Sequence, residues 1–200
     1  MIGGTDRLPG LRGLWHSVAT RVYGPRNGLN GLAFVPGERV AIGAMPVAGE
    51  ILRLPDHGIT HVVVCRAHPQ TVFSQDRWAA GQVLGSDNVA HAGMWDTGRP
   101  KPPEQWSEAA IFAASALQAD PEARVLVHCQ QGRRRSVMVA YATLRLLGRS
   151  ESDAARGVIE ARPMGRLVPA YRASVERWLK SRADAQQAPP SGVQDPSALR

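Results

Sequence analysis

The chain has 200 residues, 44% of them hydrophobic, and a net charge of +7, enough for one core of ordinary domain size and too little to favour two. Its two cysteines, Cys65 and Cys129, exclude a disulfide framework and form no CxxC zinc pair; no apolar run approaches the ~20 residues of a membrane span, and MIGGTDRLPG lacks the order of a signal peptide, so a soluble, cytoplasmic protein is expected. The charge suits nucleic acid, an anionic membrane surface or a phosphorylated substrate without choosing among them; with Lys101 and Lys180 the only lysines, it is nearly all arginine, which a biased genome produces as readily as selection for phosphate.

Residues 1–37 are rich in Gly and Arg, with turn signals at NGLNG and Pro-Gly, and read as an N-terminal arm with one short helix over 11–22. From residue 38 the pattern tightens. ERVAIG reads as a short strand, and VAGEILRLPDHG as a helix with Ile51, Leu52 and Leu54 on its apolar side and Gly58 near its end. ITHVVVC, 59–65, is the continuous β-branched run of a strand buried on both faces, so strand, helix and strand predict a βαβ unit. After a polar connection, VLGSDNVAHAGMWD has a mixed pattern read as a further strand, ahead of an exposed Pro-rich turn, TGRPKPP. Residues 104–119 space Trp106, Ala110, Ile111, Ala114 and Leu117 as a helix does, after prolines that suit a helix start. ARVLVHC is a second buried strand, and SVMVAYATLRLLG a buried helix stopped by Gly148. SESDAARGVIEAR, opened by a Ser cap, and PAYRASVERWLKSR, with Tyr171, Val175 and Trp178 along one side, predict two more helices. Residues 182–200 have almost nothing to bury and read as a disordered tail, which leaves 38–181 as the folded domain.

Chemistry concentrates in VLVHCQQGRRRSVMVAYATL, 125–144, where a buried strand runs through a polar loop into a buried helix. Such a loop points its N–H groups inward at the positive end of the helix dipole, a ready anion site. Cys129 stands at its start, where the thiolate is favoured and a cysteine pKa can fall to ~3.5–7.5 from ~8.5. Gly132 permits the tight turn, and Arg135 can lay its planar fork on two phosphate oxygens. On these residues alone, a structural cysteine in an Arg-rich loop stays open.

HCQQGRRRS resembles the HCxxGxxRS signature of the cysteine-dependent protein-tyrosine and dual-specificity phosphatases, at His128, Cys129, Gly132, Arg135 and Ser136. The likeness runs over 38–179: ERVAIGAMP and LRLPDHGITHVVVCR are similar to the first strands of dual-specificity phosphatases, and EARPMGRLVPAYRASVERWL to their closing helices. It implies an α/β fold with a central, mostly parallel sheet flanked by helices. It also implies hydrolysis of phosphotyrosine, phosphoserine or phosphothreonine in proteins through a phosphocysteine intermediate. In that scheme Cys129 is the nucleophile, Arg135 the phosphate clamp, Ser136 the hydroxyl that bonds the leaving thiolate or caps the helix, and His128 a residue that orients the loop. Gln130, Gln131, Gly132, Arg133 and Arg134 complete the phosphate-binding loop. No metal or cofactor is implied, because loop amides and Arg135 carry the charge. The family's general acid is a loop aspartate upstream of the cysteine, a position that Asp96 in WDTGRPKP fits, 33 residues before Cys129. Asp87 competes, Asp120 is too close to the loop's own strand, and a turn-forming Asx role stays open for Asp96.

Two departures bear on substrate. Arg133 and Arg134 replace the usual small or neutral residues and give three consecutive arginines. They resemble the basic loop of the phosphatase-and-tensin lipid phosphatases and leave a phosphoinositide or inositol-phosphate phosphatase as the alternative; arginines that point to solvent are the plainer reading. No long segment is present to build the deep pocket of the tyrosine-specific enzymes, so a shallower pocket is expected. Cys65 ends a strand expected beside that of Cys129, since parallel neighbours present their C-terminal ends together. By resemblance to the phosphatase-and-tensin group, Cys65 would form a reversible disulfide with the nucleophile; an unreactive buried cysteine is the other reading. A rhodanese-like sulfurtransferase shares a loop cysteine ahead of a helix but not the upstream acid, and an inactive phosphate-binding scaffold need not keep Cys, Arg and Asp together. The expected partner is a phosphorylated protein or other anionic phosphomonoester, with no nucleic acid and with membrane-surface contact left open.

Overall fold

The computed structural model describes residues 8–26 and 28–187. Five strands form one sheet: β1 (Ala33–Phe34), β2 (Val40–Ala44), β3 (His61–Val64), β4 (Val89–His91) and β5 (Val125–Cys129), in the order β1-β2-β5-β3-β4. All pairs are parallel except β1 with β2, so the sheet is mostly parallel with one antiparallel edge. The β-branched runs explain the central strands, since alternate residues feed two cores. Val40, Ile42, Val63, Val125 and Val127 face one, with Cys65 and Cys129 continuing the same face, and Ala41, Val62, Val64 and Leu126 face the other.

Seven α-helices cover the sheet: α1 (Gly10–Tyr23), α2 (His68–Ser74), α3 (Asp76–Leu84), α4 (Ser107–Ala119), α5 (Arg135–Leu146), α6 (Glu151–Ala161) and α7 (Pro169–Gln187). Helix α5 is buried from Arg135 to Leu144 and forms the axis on which α4, α6 and α7 pack. Its small and β-branched side chains allow that close approach, and the buried rings of Trp106, Tyr141 and Tyr171 fill the space between the helices. Gly148, at φ 85, turns the chain out of α5. The Ser150 hydroxyl accepts the Asp153 N–H at 3.1 Å to cap α6. The opposite face of the sheet carries α1, α3 and two short 3-10 helices.

Several expectations are corrected. Residues 48–57 form two 3-10 helices, Ala48–Arg53 and Pro55–His57, because Pro55 has no N–H to continue a helix and Gly58, at φ 71, closes the second. Strands β2 and β3 are not neighbours, since β5 lies between them. The polar connection after residue 65 holds α2 and α3, which the buried Arg66–Asp76 ion pair, 2.6 Å apart, fastens to the end of β3. Within TGRPKPP, Lys101 is buried. The segment read as an arm supplies α1 and the edge strand β1, and α7 runs on to Gln187; residues 188–200 lie outside the described residues. Among the described residues no helix is long and apolar enough to cross a membrane.

Candidate active site

Strand β5 ends at Cys129, α5 begins at Arg135, and the residues between them turn tightly against the end of β2. Gly132 has φ 67, and a Cβ there would lie 2.6 Å from the Gly43 carbonyl, so both conformation and space demand glycine. The loop's carbonyls are held from outside. Arg162 donates from Nε to Gly132 O at 3.1 Å and from Nη2 to Gln131 O at 3.2 Å, while its Nη1 reaches Gly31 O. The Arg166 N–H binds Arg133 O at 2.7 Å, and the Gln130 side chain donates to Tyr23 O at 2.8 Å.

The N–H groups turn inward. Those of Ser136 and Arg133 donate to the Cys129 sulfur, and the Ser136 hydroxyl donates to it at 3.4 Å. Burial pushes the Cys129 thiol pKa up. The Arg135 guanidinium, the Ser136 hydroxyl and the two amides outweigh it, and the net pKa is lowered from 9.0. Arg135 is itself buried, with Nη1 donating to Gln70 Oε1 at 2.9 Å and to Met94 O at 3.1 Å. Its Nε has no hydrogen-bond partner among the described residues. A buried cation with a donor to spare beside a thiolate-favouring sulfur is chemically suited to an oxyanion. His128 is fully buried, and burial pushes its pKa down to about 4, so its ring is neutral at neutral pH and a poor base.

Asp96 lies in the loop between β4 and α4 and joins this centre through Arg134. Its Oδ1 faces Arg134 Nη1 at 3.3 Å and accepts a hydrogen bond from the Tyr171 hydroxyl at 3.0 Å. That hydroxyl accepts the Gly98 N–H at 3.0 Å. Gly98 sits at φ 72, a backbone conformation that favours glycine, with the movable end of Arg134 beside it. Lys101 Nζ donates to Trp95 O at 2.6 Å and Thr97 Oγ1 at 2.8 Å, and the Lys101 N–H to Ser174 Oγ at 3.0 Å, which pins the loop to α7. Burial lowers the Lys101 pKa, with Asp96 pulling it back up.

Cys129, Arg134, Arg135, Ser136 and Asp96 thus belong to one connected cluster. Asp87 is exposed in the 3-10 turn Ser86–Asn88, where it accepts from the Ser86 hydroxyl at 3.3 Å. Arg133 and Gln131 are exposed, so the two added arginines divide: one to solvent, one to Asp96. Cys65 follows β3 directly, in the register that sets Val64 opposite His128, and its N–H donates to His128 O at 2.7 Å. It is a free, buried thiol whose pKa is raised well above 9.0 by burial and then by the neighbouring Cys129. Among the described residues no group of three or more His, Cys, Asp or Glu side chains is arranged to hold a metal ion. Sequence reasoning missed Gln70, Lys101, Arg162 and the Tyr171 hydroxyl. Tyr171 was legible only as a helix-face ring, and nothing in the sequence separates Arg162, which is buried, from the arginines that are not.

No family model and no curated protein matches the chain. Solved structures do. Human DUSP28 superposes with a TM-score of 0.60 at 21% identity, covering 76% of this chain and 95% of that one. Tk-PTP in its active form gives 0.61 at 24% over 76% and 97%, and PTPMT1 in complex with PI(5)P gives 0.62 at 17% over 78% and 99%. The chain has the fold of the dual-specificity and related cysteine-dependent phosphatases.

Proposed function

We propose that the chain hydrolyses phosphate monoesters in two steps through Cys129. The thiolate attacks phosphorus, the bond to the leaving oxygen breaks, and Asp96 gives that oxygen its proton. Water then attacks the phosphocysteine, giving a proton back to Asp96 and releasing phosphate and thiolate. Arg135 and the loop amides stabilise the charge on the equatorial oxygens, and Ser136 donates to the sulfur as it leaves. The observation that carries this reading is the lowered Cys129 pKa, set against full burial by Arg135, Ser136 and two loop amides. The DUSP28 and Tk-PTP folds support it. With p-nitrophenyl phosphate, Cys129→Ser abolishes turnover and Asp96→Ala lowers it by about 10²–10⁴-fold. Equal rates for the three proteins overturn the mechanism.

Phosphorylated protein side chains are the leading substrate class. A phosphoinositide or inositol phosphate is the second, supported by the likeness to PTPMT1, solved with PI(5)P, and by Arg134. Arg134, paired with Asp96 at 3.3 Å, sets a second guanidinium beside the loop that can pair with a further anionic group on such a substrate. Turnover of phosphopeptides compared with inositol phosphates separates the two classes.

Cys65 serves in this reading as the redox partner of the nucleophile. Residues in register on parallel strands stand about 4.8 Å apart, within the Cα separation that a disulfide spans, and both cysteines face the same core. Mild peroxide is expected to link Cys65 to Cys129, reversibly with thiol. Peptide mapping that recovers Cys129 only as higher oxides, with Cys65 still reduced, rejects the link.

A further inference from the structure

Helix α1 is built inside out. Gly13, His16, Ser17, Ala19 and Thr20 are buried against the domain, whereas Leu11 is 85% exposed, Val22 65%, and Leu14, Trp15 and Val18 about half. Residues 11, 14, 15, 18 and 22 follow the spacing of one helix face, so the apolar stripe that ordinarily seeks a core looks outward. It runs ~16 Å along the axis. Val72 and Phe73 of α2 extend it, with Phe73 packed edge-on between Trp15 and Tyr23 at ring separations of 5.5 and 5.2 Å. A contiguous apolar patch of this extent marks an interaction site.

We infer that this face docks on the surface of an anionic lipid bilayer. Charge selects the occupant. No Asp or Glu occurs between residues 7 and 37, a stretch that carries Arg7, Arg12, Arg21 and Arg26. Arg21 and Arg12 flank the stripe on either side, Arg12 with its guanidinium 4.6 Å from the Trp78 ring centre. A basic rim, aliphatic side chains and two rings, Trp15 with its Nε1 on the Phe73 carbonyl at 2.7 Å and Tyr23 with its hydroxyl, match an interfacial helix that lies in the headgroup layer. A second copy fits poorly, because a two-fold contact would set this basic, acid-free stretch against the same stretch of its partner.

The face adjoins the candidate site. Tyr23, the last residue of α1, accepts from the Gln130 side chain of the phosphate-binding loop, and Gln70 of α2 accepts from Arg135. Docking therefore sets the loop near the membrane surface, which favours the second substrate class named above, a phosphomonoester on a lipid headgroup; that consequence rests on the proposed phosphatase activity, while docking itself does not.

The test is co-sedimentation of the full chain, wild type and Cys129→Ser, with vesicles of equal parts phosphatidylglycerol and phosphatidylcholine, or of phosphatidylcholine alone. Both proteins are expected to pellet with the anionic vesicles and not with the neutral ones, with binding weakened by salt. Leu14→Glu/Val18→Glu is expected to bind about tenfold less while keeping the wild-type thermal unfolding temperature. Absence of binding to anionic vesicles, equal binding by the double variant, or a wild-type dimer that the double variant dissociates overturns the proposal; the last assigns the face to a second copy. Vesicle binding without p-nitrophenyl phosphate turnover keeps the docking surface and removes the phosphatase reading, and the reverse pairing does the opposite.

Discussion

At the scale of single residues, the site is a contest between desolvation and charge at one sulfur. Cys129 is buried, which alone would keep it protonated, and the Arg135 charge together with three donors, the Ser136 hydroxyl and the Ser136 and Arg133 amides, reverses the outcome. A lowered pKa means that the thiolate fraction persists to lower pH than in an ordinary cysteine. Alkylation by iodoacetamide, followed against pH, is expected to show a midpoint below 9, and Ser136→Ala to move that midpoint up, because removing a donor to the thiolate favours the thiol. A midpoint unchanged by the substitution would show that the hydroxyl contributes nothing to the ionised sulfur. The residues that define the loop were legible because HCQQGRRRS constrains them together at fixed spacing. Asp96 was singled out by its distance from Cys129 in the family the chain resembles, whereas its two partners in the structure were not legible. Tyr171 and Arg134 reach it from α7 and from the loop, and such a pairing depends on how the elements pack rather than on any local pattern.

At the scale of elements, runs of β-branched residues announced β3 and β5, and spacing announced α4 to α7, since each is long or apolar enough to decide between periods of two and 3.6. Helices α2 and α3 escaped notice because each is short and their apolar residues are few; tertiary contacts hold them. The chief of these is Arg66, whose Nη1 donates to Asp76 Oδ2 at 2.6 Å and to Ser74 Oγ at 2.7 Å inside the protein. Both charges are buried, so removing one leaves the other without compensation. Asp76→Ala is expected to cost about 3–5 kcal/mol in urea unfolding, whereas replacing both, Arg66→Met with Asp76→Leu, costs much less. Equal losses for the single and double variants would mean that packing around α2 and α3, not charge, sets their stability. The 3-10 turns at 48–57 make the complementary point: the apolar spacing there was real, and Pro55 decided the geometry.

At the scale of the whole molecule, the class of fold was legible in the order of elements, but strand order was not. That β5 inserts between β2 and β3 is a long-range fact, and it is what brings the ends of β2, β3 and β5 together around the loop. The inverted helix α1 was legible as a helix but not as an outward-facing one, since the sequence shows an apolar stripe without showing which way it turns. Burial also sets the response of the fold to acid. His128, with a pKa of about 4 in the folded chain against 6.5 ordinarily, takes up a proton on unfolding in the interval between those values. Its contribution is therefore intact above pH 6.5 and declines as pH falls toward 4. Urea midpoints that stay level from pH 7.5 to 5 would argue that the ring is solvated. Arg162 has a consequence of its own. One guanidinium grips two carbonyls of the turn between β5 and α5 and one near β1, three segments far apart in sequence. A peptide plane held by its oxygen presents its hydrogen to the other side, so the cradle is finished during folding. An arriving vanadate or phosphate then finds its donors assembled and has little chain to order, and capture should proceed in a single fast phase.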